Sequence, residues 1–433
     1  MVFLCVFVYA KALNDSDEVS IMKFFQSTFG LLIALAGVGI ATVCFANQSN
    51  VSSDDDAKRN DKIEVVSYYF GDYHLDKRNE ERLGKGWSEW KLLKEAKPRF
   101  EGHQQPKVPL WGYTDEANPK DMAMKIDAAS KYGVDVFLFD WYYYDDGPFL
   151  ERTIDEGFLN ADNRDKIKFA LMWANHDWVE IFPKHKDVPS ALIYPGKVSP
   201  ETFDKICDLV IEKYFKQPNY WKIDGKPYFS IYELTKFGEN FGSFEATKAA
   251  IQRFREKTKA AGFPDLHLNA VYWGRPIVPG EGTADDPVKL IEGLGFDSVT
   301  SYVWIHHVPL NDQQTDFNWV RDEYLKHWDR ARSEFSIPYI PNASMGWDSS
   351  PRACQDDPFG NWGYPFTNTI SNNTPENFKK ALEIIKSRIL SDPDCPRIMN
   401  INCWNEWTEG SYLEPDTING YGYLEAVRDV FGD

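Results

Sequence analysis

Between Arg397 and Pro415 the chain reads RIMNINCWNEWTEGSYLEP, an apolar run that ends in Glu406, Glu409 and Glu414 interleaved with Trp404, Asn405 and Trp407. Glu406 and Glu409 are three residues apart, so a helical turn after the run brings their Cβ atoms to about 5–6 Å on one face. Two carboxyls that close separate their pKa values and can divide acid and base roles. Tryptophan faces beside them stack on the apolar face of a sugar ring, and the chemistry such a set performs is cleavage of a glycosidic bond. The same spacing also serves a cap or a salt-bridged pair, and spacing alone leaves that reading open.

Alternation refines the placement. With Glu406 pointing into a cavity, a period of two puts Trp404, Asn402 and Asn400 on its face and turns Cys403, Ile401 and Met399 towards apolar packing. Inward polar groups need partners, so the run should line a site.

Seven further β-rich runs precede this one: Ile63 to Tyr69, Val134 to Asp140, Ile167 to Trp173, Lys226 to Tyr232, Leu266 to Trp273, Phe296 to Tyr302 and Ile337 to Ser344. Amphipathic helical patterns separate them, and Asn118-Pro119, Ser199-Pro200 and Thr374-Pro375 supply a capping residue followed by proline at the first helical position. Eight such units predict an α/β fold, a single (β/α)8 TIM barrel over residues 61–433 with long strand-to-helix loops. The long connections, Phe70 to Ala117, Ala174 to Ser199, Val303 to Asn318 and Met345 to Asn373, all follow strands. Chemistry is therefore expected at the strands' C-terminal ends.

Those ends offer a sugar-binding rim: Tyr69, Asp140, Trp141, Trp173, Asn175, His176, Tyr232, Tyr272, Tyr302 and Trp304, joined by Asn405, Trp407 and Glu414 from the last loop. Each has a plainer reading. Asp140 serves equally as a loop cap, Tyr272 as barrel core, His176 as a loop brace and Glu414 as a residue that orients its loop. His306 and His307 are adjacent and cannot point one way from an extended segment, which weakens a metal reading. Glu89, between Trp87 and Trp90, is structural unless the first loop folds over the mouth.

A formal charge of −18, from 48 basic and 66 acidic residues, argues against general nucleic-acid binding and against strongly anionic polymers as substrates. Fifteen tryptophans are more than a core alone needs; a sugar-binding cleft is one home for them, and an ordinary bulky core is the plainer one. The cysteines show no CxxC or ligand spacing, so no cofactor and no metal is expected, and Cys354 and Cys395 fall at opposite ends of the barrel, too far apart to pair. No protein partner is implied.

Lys23 precedes an apolar run from Gly30 to Ala46, and the polar NQSNVSSDDDAKRND follows. Residues 1–46 are read as a targeting segment with Met22 as an alternative start, and residues 47–60 as a flexible linker. Cleavage after Ala46, a lipid anchor at Cys44 and a retained apolar anchor of 17 residues are three forms of this reading. All of them export the barrel to the periplasm, cell surface or medium, and the anchored forms are the chain's one expected contact with a membrane.

Three blocks carry a family likeness: GKGWSEW (Gly84 to Trp90) with AKPRFEGHQQPKVPLWGY (Ala96 to Tyr113), LMWANHDW (Leu171 to Trp178), and INCWNEWTEGSYLEP (Ile401 to Pro415). In this order they resemble the signatures of the WbsX-like proteins, a group related to the endo-α-mannosidases of glycoside hydrolase family 99. The resemblance implies that the NEWxEG loop holds both catalytic carboxylates. On it, Glu406 acts as base on the sugar 2-hydroxyl, which attacks the anomeric carbon. Glu409 protonates the leaving oxygen and then activates water. The first loop and the surroundings of LMWANHDW depart from the endo-α-mannosidases, so the acid pair carries over better than the sugar or linkage.

The expected function is an exported glycoside hydrolase acting on an oligo- or polysaccharide, with an α-mannoside-type bond as one candidate. WbsX-like sequences also carry a glycosyltransferase label, which makes transfer in polysaccharide biosynthesis the leading alternative. A transferase needs a cytosolic nucleotide sugar and commonly a metal on its diphosphate; the export signal removes the first, and the aspartate pairs at Asp54 to Asp56 and at Asp392 with Asp394 are badly placed for the second. A carbohydrate-binding barrel without activity is a third reading, which fold alone does not decide.

Overall fold

The runs rich in Val, Ile, Phe and Tyr form eight parallel strands in the computed structural model, which describes residues 62–432. They are β1 (Glu64–Tyr69), β2 (Val136–Tyr144), β3 (Lys168–Trp173), β4 (Lys226–Ile231), β5 (His267–Val271), β6 (Ser298–Thr300), β7 (Tyr339–Ile340 and Asn342–Ser344) and β8 (Ile398–Asn402). Each pairs with its neighbours in chain order, and β8 returns to β1 through Glu64↔Ile398 and Val66↔Asn400, which closes the barrel. Pro341 interrupts β7 because it has no N–H to give. The strand still spans the gap: Tyr339 pairs with Val299 of β6, Asn342 pairs with Asn400 of β8, and the Pro341 carbonyl accepts the Asn400 N–H at 2.8 Å. The described residues thus form the (β/α)8 barrel that the alternation predicts.

Helices start where capping residues meet proline. Asn118, Ser199 and Thr374 accept the backbone N–H groups of Lys120, Thr202 and Asn377, and the helices that follow are α1 (Pro119–Lys131), α2 (Pro200–Leu209) and α3 (Pro375–Ser391). The crossing from β2 to β3 departs from the pattern, holding one wide π-type turn, Thr153–Phe158, in place of a regular helix. Gly157 lets that turn press against the first loop, since a Cβ there would stand 2.0 Å from the Glu116 carbonyl oxygen. β2 also runs beyond its expected end at Asp140 and folds back on Gly147–Phe149 to make a hairpin above the rim.

The barrel interior is polar and hydrogen-bonded. Ser230 Oγ donates to Asn269 Oδ1, Asn269 Nδ2 to Ser298 Oγ and Asn400 Nδ2 to Thr300 Oγ1, each at 2.9 Å. Buried polar groups must be paired, so this chain of bonds fixes which face of each strand points inward. Asn400 is inward, as alternation requires. The alternation stops at Asn402, where β8 ends, and Trp404 packs on Phe137 and Trp111 instead of sharing a face with Glu406.

The leader and linker expected over residues 1–46 and 47–60 lie outside the described residues. Among the described residues no helix is long and apolar enough to cross a membrane, and Cys207, Cys354, Cys395 and Cys403 are free thiols.

Lys125 on α1 is fully buried and forms ion pairs with Glu116 of the first loop at 2.7 Å and Glu414 of the last loop at 2.6 Å. Burial alone would depress its pKa, but the two carboxylates outweigh burial and the net shift is upward. Glu116 also accepts from the Tyr69 hydroxyl and Asn405 Nδ2, and Glu414 accepts from Trp407 Nε1. One lysine thus anchors both loops that carry site residues. Lys125→Met is expected to lower the unfolding free energy by about 3–5 kcal/mol, the scale for stranding a buried charge, as read from urea denaturation. A loss below about 1 kcal/mol would show that the two glutamates neutralise themselves without it.

Candidate active site

The eighth loop is built for a reversal. After Asn405–Glu406, residues Trp407–Glu409 make one 3-10 turn, Gly410 takes a left-handed φ of 68°, and Ser411–Tyr412 pairs back on Asn405–Glu406. A side chain at Gly410 would be strained by that φ and would meet Asp348 at 2.9 Å. The tight turn, rather than a continuing helix, is what sets Glu406 and Glu409 side by side. Both line a cleft at the C-terminal mouth of the barrel.

Arg352, in the turn Ser350–Arg352 after β7, holds the pair. Its Nη2 donates to Glu406 Oε1 at 3.0 Å, its Nη1 to Glu409 Oε1 at 2.8 Å and its Nε to Glu89 Oε1 at 2.8 Å. The Tyr364 hydroxyl adds a bond to Glu409 Oε1 at 2.8 Å, and Thr408 Oγ1 donates to Glu89 Oε1 at 2.8 Å. All of these side chains are buried. Burial drives the Glu406 carboxyl well above the usual range, with Arg352 pulling it down and Glu409 pushing it up. Glu409 is raised by burial too, against the pull of Arg352 and the Tyr364 hydroxyl. Burial thus favours the protonated form of both Glu406 and Glu409, against the one guanidinium that favours their ionised form. The bonds to Arg352 use the Oε1 atoms, and no protein donor among the described residues occupies Oε2 of Glu406 or Glu409.

Asp140 contributes a further carboxyl. It leaves β2 pointing inward, its Oδ2 accepts the Tyr302 hydroxyl at 2.9 Å, and its buried Oδ1 has no protein partner. Burial pushes it well above the usual range, with the Tyr302 bond as the opposing influence. On the opposite wall His306 lies 3.7 Å from Glu281, which also accepts from the Tyr232 hydroxyl and from two backbone N–H groups. Aromatic walls complete the cleft, with Trp178 stacked on Phe182 at 5.3 Å and Tyr142 edge-on to Trp178 at 5.2 Å.

Of the residues expected at the rim, Asp140, His176, Tyr232, Tyr302, Glu406 and Glu409 come together in this cleft. The others stand behind its wall. Trp141 and Trp173 point out of the barrel by alternation, onto Tyr214 and onto Phe203 and Phe237. Tyr272 packs on His307, His327 and Phe335, and Trp304 on Phe317 and Tyr324. Asn175 braces its loop by bonding both the N–H and the carbonyl of Glu233. Tyr69, Asn405, Trp407 and Glu414 form the underlay anchored on Lys125, with Trp407 stacked on Tyr412 at 3.8 Å. His306 faces the cleft, whereas His307 turns away to Ser301 Oγ and stacks on His327 at 3.6 Å.

Arg352, Tyr364, Tyr142, Trp178, Phe182 and Trp347 were not signalled by spacing. Arg352 sits in a long loop with no periodicity; the available signal was the need of paired buried acids for a cation, which makes every arginine of the top loops a candidate. Glu89 does reach the mouth, because the first loop folds over it.

Comparison with known proteins places these residues in context. The family model described as "Glycosyltransferase WbsX" matches residues 65–427. Protein WxcX of Xanthomonas campestris pv. campestris is 26% identical over 370 residues, covering 84% of this chain and 49% of WxcX, and the WxcX of strain B100 is 27% identical over the same shares. The chain therefore spans about half the length of these curated relatives. A solved glycoside hydrolase-like protein superposes with a TM-score of 0.53 at 17% identity, covering 91% of this chain and 97% of that one. The family GH99 endo-alpha-mannosidase from Bacteroides thetaiotaomicron superposes with a TM-score of 0.50 at 14% identity, covering 84% and 94%. These structures share the barrel fold. The sequence match from the second residue of β1 into the last helix is the stronger tie, and by it this chain belongs to the WbsX family.

Proposed function

We propose that this chain is a glycoside hydrolase that cleaves a glycan through Glu406 and Glu409, with an α-mannoside-type linkage as the first candidate. The observation that carries this reading is that both glutamates enter one aromatic-walled cleft with Oε1 held by Arg352 and Oε2 left for substrate. In the proposed reaction, and against the larger upward shift at Glu406, the bond to Arg352 holds Glu406 ionised, and Glu406 takes the proton of the sugar 2-hydroxyl as that oxygen attacks the anomeric carbon. The bond to the leaving oxygen breaks, and Glu409 supplies the proton the leaving group needs. Glu409 then takes a proton from water as the water oxygen attacks the anomeric carbon. The anhydro ring opens, its oxygen regains the proton from Glu406, and configuration is retained. Asp140, whose protonated form is favoured by burial, offers its unpartnered Oδ1 to a substrate hydroxyl, while His176, Tyr232 and Tyr302 shape the wall.

The family description favours a second reading, transfer of a sugar to an acceptor. The two readings separate in one assay. Purified protein is incubated with a panel of α-mannosides and related glycans in water, without nucleotide sugar, and released reducing ends are counted. Hydrolysis predicts release by the parent and a loss on the order of 10²-fold or more for Glu406→Gln and for Glu409→Gln, the scale of general acid–base groups. Substrate binding is retained in both variants, and a 2-deoxy substrate is not turned over. Product formation only with a nucleotide-sugar donor would decide for transfer, and near-native rates in both glutamine variants would remove the pair from either reaction.

Arg352→Met removes the guanidinium together with its charge. Since Arg352 lowers the pKa of both glutamates, its loss raises them, and the acid limb of the kcat/KM profile is expected to move to higher pH as kcat falls. An acid limb that stays in place while kcat falls would assign Arg352 a packing role only.

Asp140 gives a stability test with the opposite sign from an ordinary ion-paired carboxylate. The native protein keeps a proton that the unfolded chain releases, so stability falls as pH rises from the usual carboxylate range towards the raised native value. Asp140→Asn mimics the protonated acid and removes that slope. The thermal midpoint of the variant relative to the parent is expected to climb as pH rises above about 4, the usual carboxylate value. Parallel curves above that pH would mean that Asp140 ionises normally.

A further inference from the structure

We propose that His185, Cys354 and Asp357 form a binding site for a zinc-class divalent metal ion, which clasps the loop after β3 to the loop after β7. Among the described residues, these three side chains bring Nδ1, Sγ and a carboxylate oxygen within 4.8 Å of one another. His185 Nδ1 stands 3.5 Å from Asp357 Oδ2. A tetrahedral ion with bonds of about 2.0–2.1 Å to nitrogen and oxygen places such ligands about 3.3 Å apart, so this edge is already set. The remaining edges close with a movement of about 1 Å, because a thiolate bond of about 2.3 Å asks for ligands about 3.6 Å apart. His185 supplies that freedom, with 57% of its side chain exposed.

The backbone holds the two loops in the required register before any ion arrives. Lys184 and Ala353 form a parallel bridge, the Lys184 N–H donates to the Arg352 carbonyl at 2.8 Å, and the Cys354 N–H donates to the Lys184 carbonyl at 2.8 Å. The Lys186 N–H fixes Asp357 by donating to its Oδ2 at 2.8 Å. His185 and Cys354 therefore follow directly on residues that are already paired.

The donor set fits the class. Sulfur, nitrogen and carboxylate oxygen are all ligands of a borderline divalent ion, and thiolate plus carboxylate neutralise two charges. On binding, the Cys354 thiol gives its proton to solvent and the fourth position remains open to water. The Arg99 guanidinium lies close by and donates to the carbonyl oxygens of Cys354 and Asp357. Its charge opposes a bound ion, so the site is an ordinary reversible one.

The consequence reaches the cleft. None of the three ligands lines it, but Ile181 and Phe182 on one clasped segment and Arg352 on the other do. Cys354 follows Arg352 by two residues, so an ion here would tether the segment whose guanidinium holds the glutamates. Binding is independent of which reaction the cleft performs, and the test reads binding alone.

The full chain is reduced, stripped with a chelator, freed of both reagents and titrated with cobalt(II) and then zinc chloride. The expected result is a thiolate-to-cobalt charge-transfer band that saturates at one equivalent, is abolished by zinc, and is missing or at least 10-fold weaker in apparent affinity in Cys354→Ser. The parent's thermal midpoint should rise with zinc, and His185→Gln, an exposed position whose loss does not endanger folding, should weaken that rise and the cobalt affinity alike. No band in the parent, or a band of full strength and affinity in both variants, overturns the proposal. If Cys354→Ser fails to fold, the His185→Gln titration decides by itself.

Discussion

Among the described residues Arg352 is the only cation in contact with three carboxyls at the mouth of the barrel, and that imbalance sets the character of the site. Ionised groups are costly to bury without a partner, and Glu89, Glu406 and Glu409 arrive from the first and last loops onto one guanidinium brought by the seventh. Arginine can serve all three because its fork presents donors in several directions at once. Its single charge pulls the pKa of Glu406 and of Glu409 down without cancelling the upward push of burial on either. The site's electrostatics thereby favour the protonated form of these two carboxyls more than water would.

Beneath this cluster lies a second buried lysine-centred one, and the two play different parts. Lys125 balances two carboxylates from loops far apart in sequence and ties them to a barrel helix. Tyr69, Asn405 and Trp407 complete this layer through hydrogen bonds that leave little freedom to the loop carrying the glutamates. Precision at Glu406 and Glu409 thus comes from an underlay of satisfied polar groups, and reactivity comes from the under-compensated cluster above it.

This layering explains what could be read from the residues alone. Strand runs, three capped helices and the order of the ring follow from local chemistry and period, so the barrel was legible nearly to its boundaries. The glutamate pair was legible as well, because both acids lie in one short segment. Aromatic and polar residues at the strand ends were harder to sort. Alternation puts Trp141 and Trp173 outside once the inward face is known, yet the sequence does not announce where a strand stops, and Trp404 lies past the last residue of β8. Arg352 was the deepest omission, since its partners are brought to it by tertiary closure and its loop has no period. The turn that replaces the second helix depends on a close approach between Gly157 and Glu116 that no local signal reports.

An arginine in a sugar cleft invites the reading that the substrate is anionic. The bonding of Arg352 points the other way. Its Nε, Nη1 and Nη2 already donate to Glu89, Glu409 and Glu406, and Nη1 also reaches the Tyr364 hydroxyl. An anionic sugar would have to displace a carboxylate from the guanidinium while approaching the remaining carboxyls and Asp140, all on the same side of a low-dielectric wall. A neutral sugar meets no such barrier: its hydroxyls can donate to the unheld carboxylate oxygens and accept from the protonated ones, and its apolar face can lie on Trp178 or Tyr142. On the proposed glycosidase reading, the charge that holds the site together therefore also bears on what enters it, and it favours uncharged glycans over anionic ones.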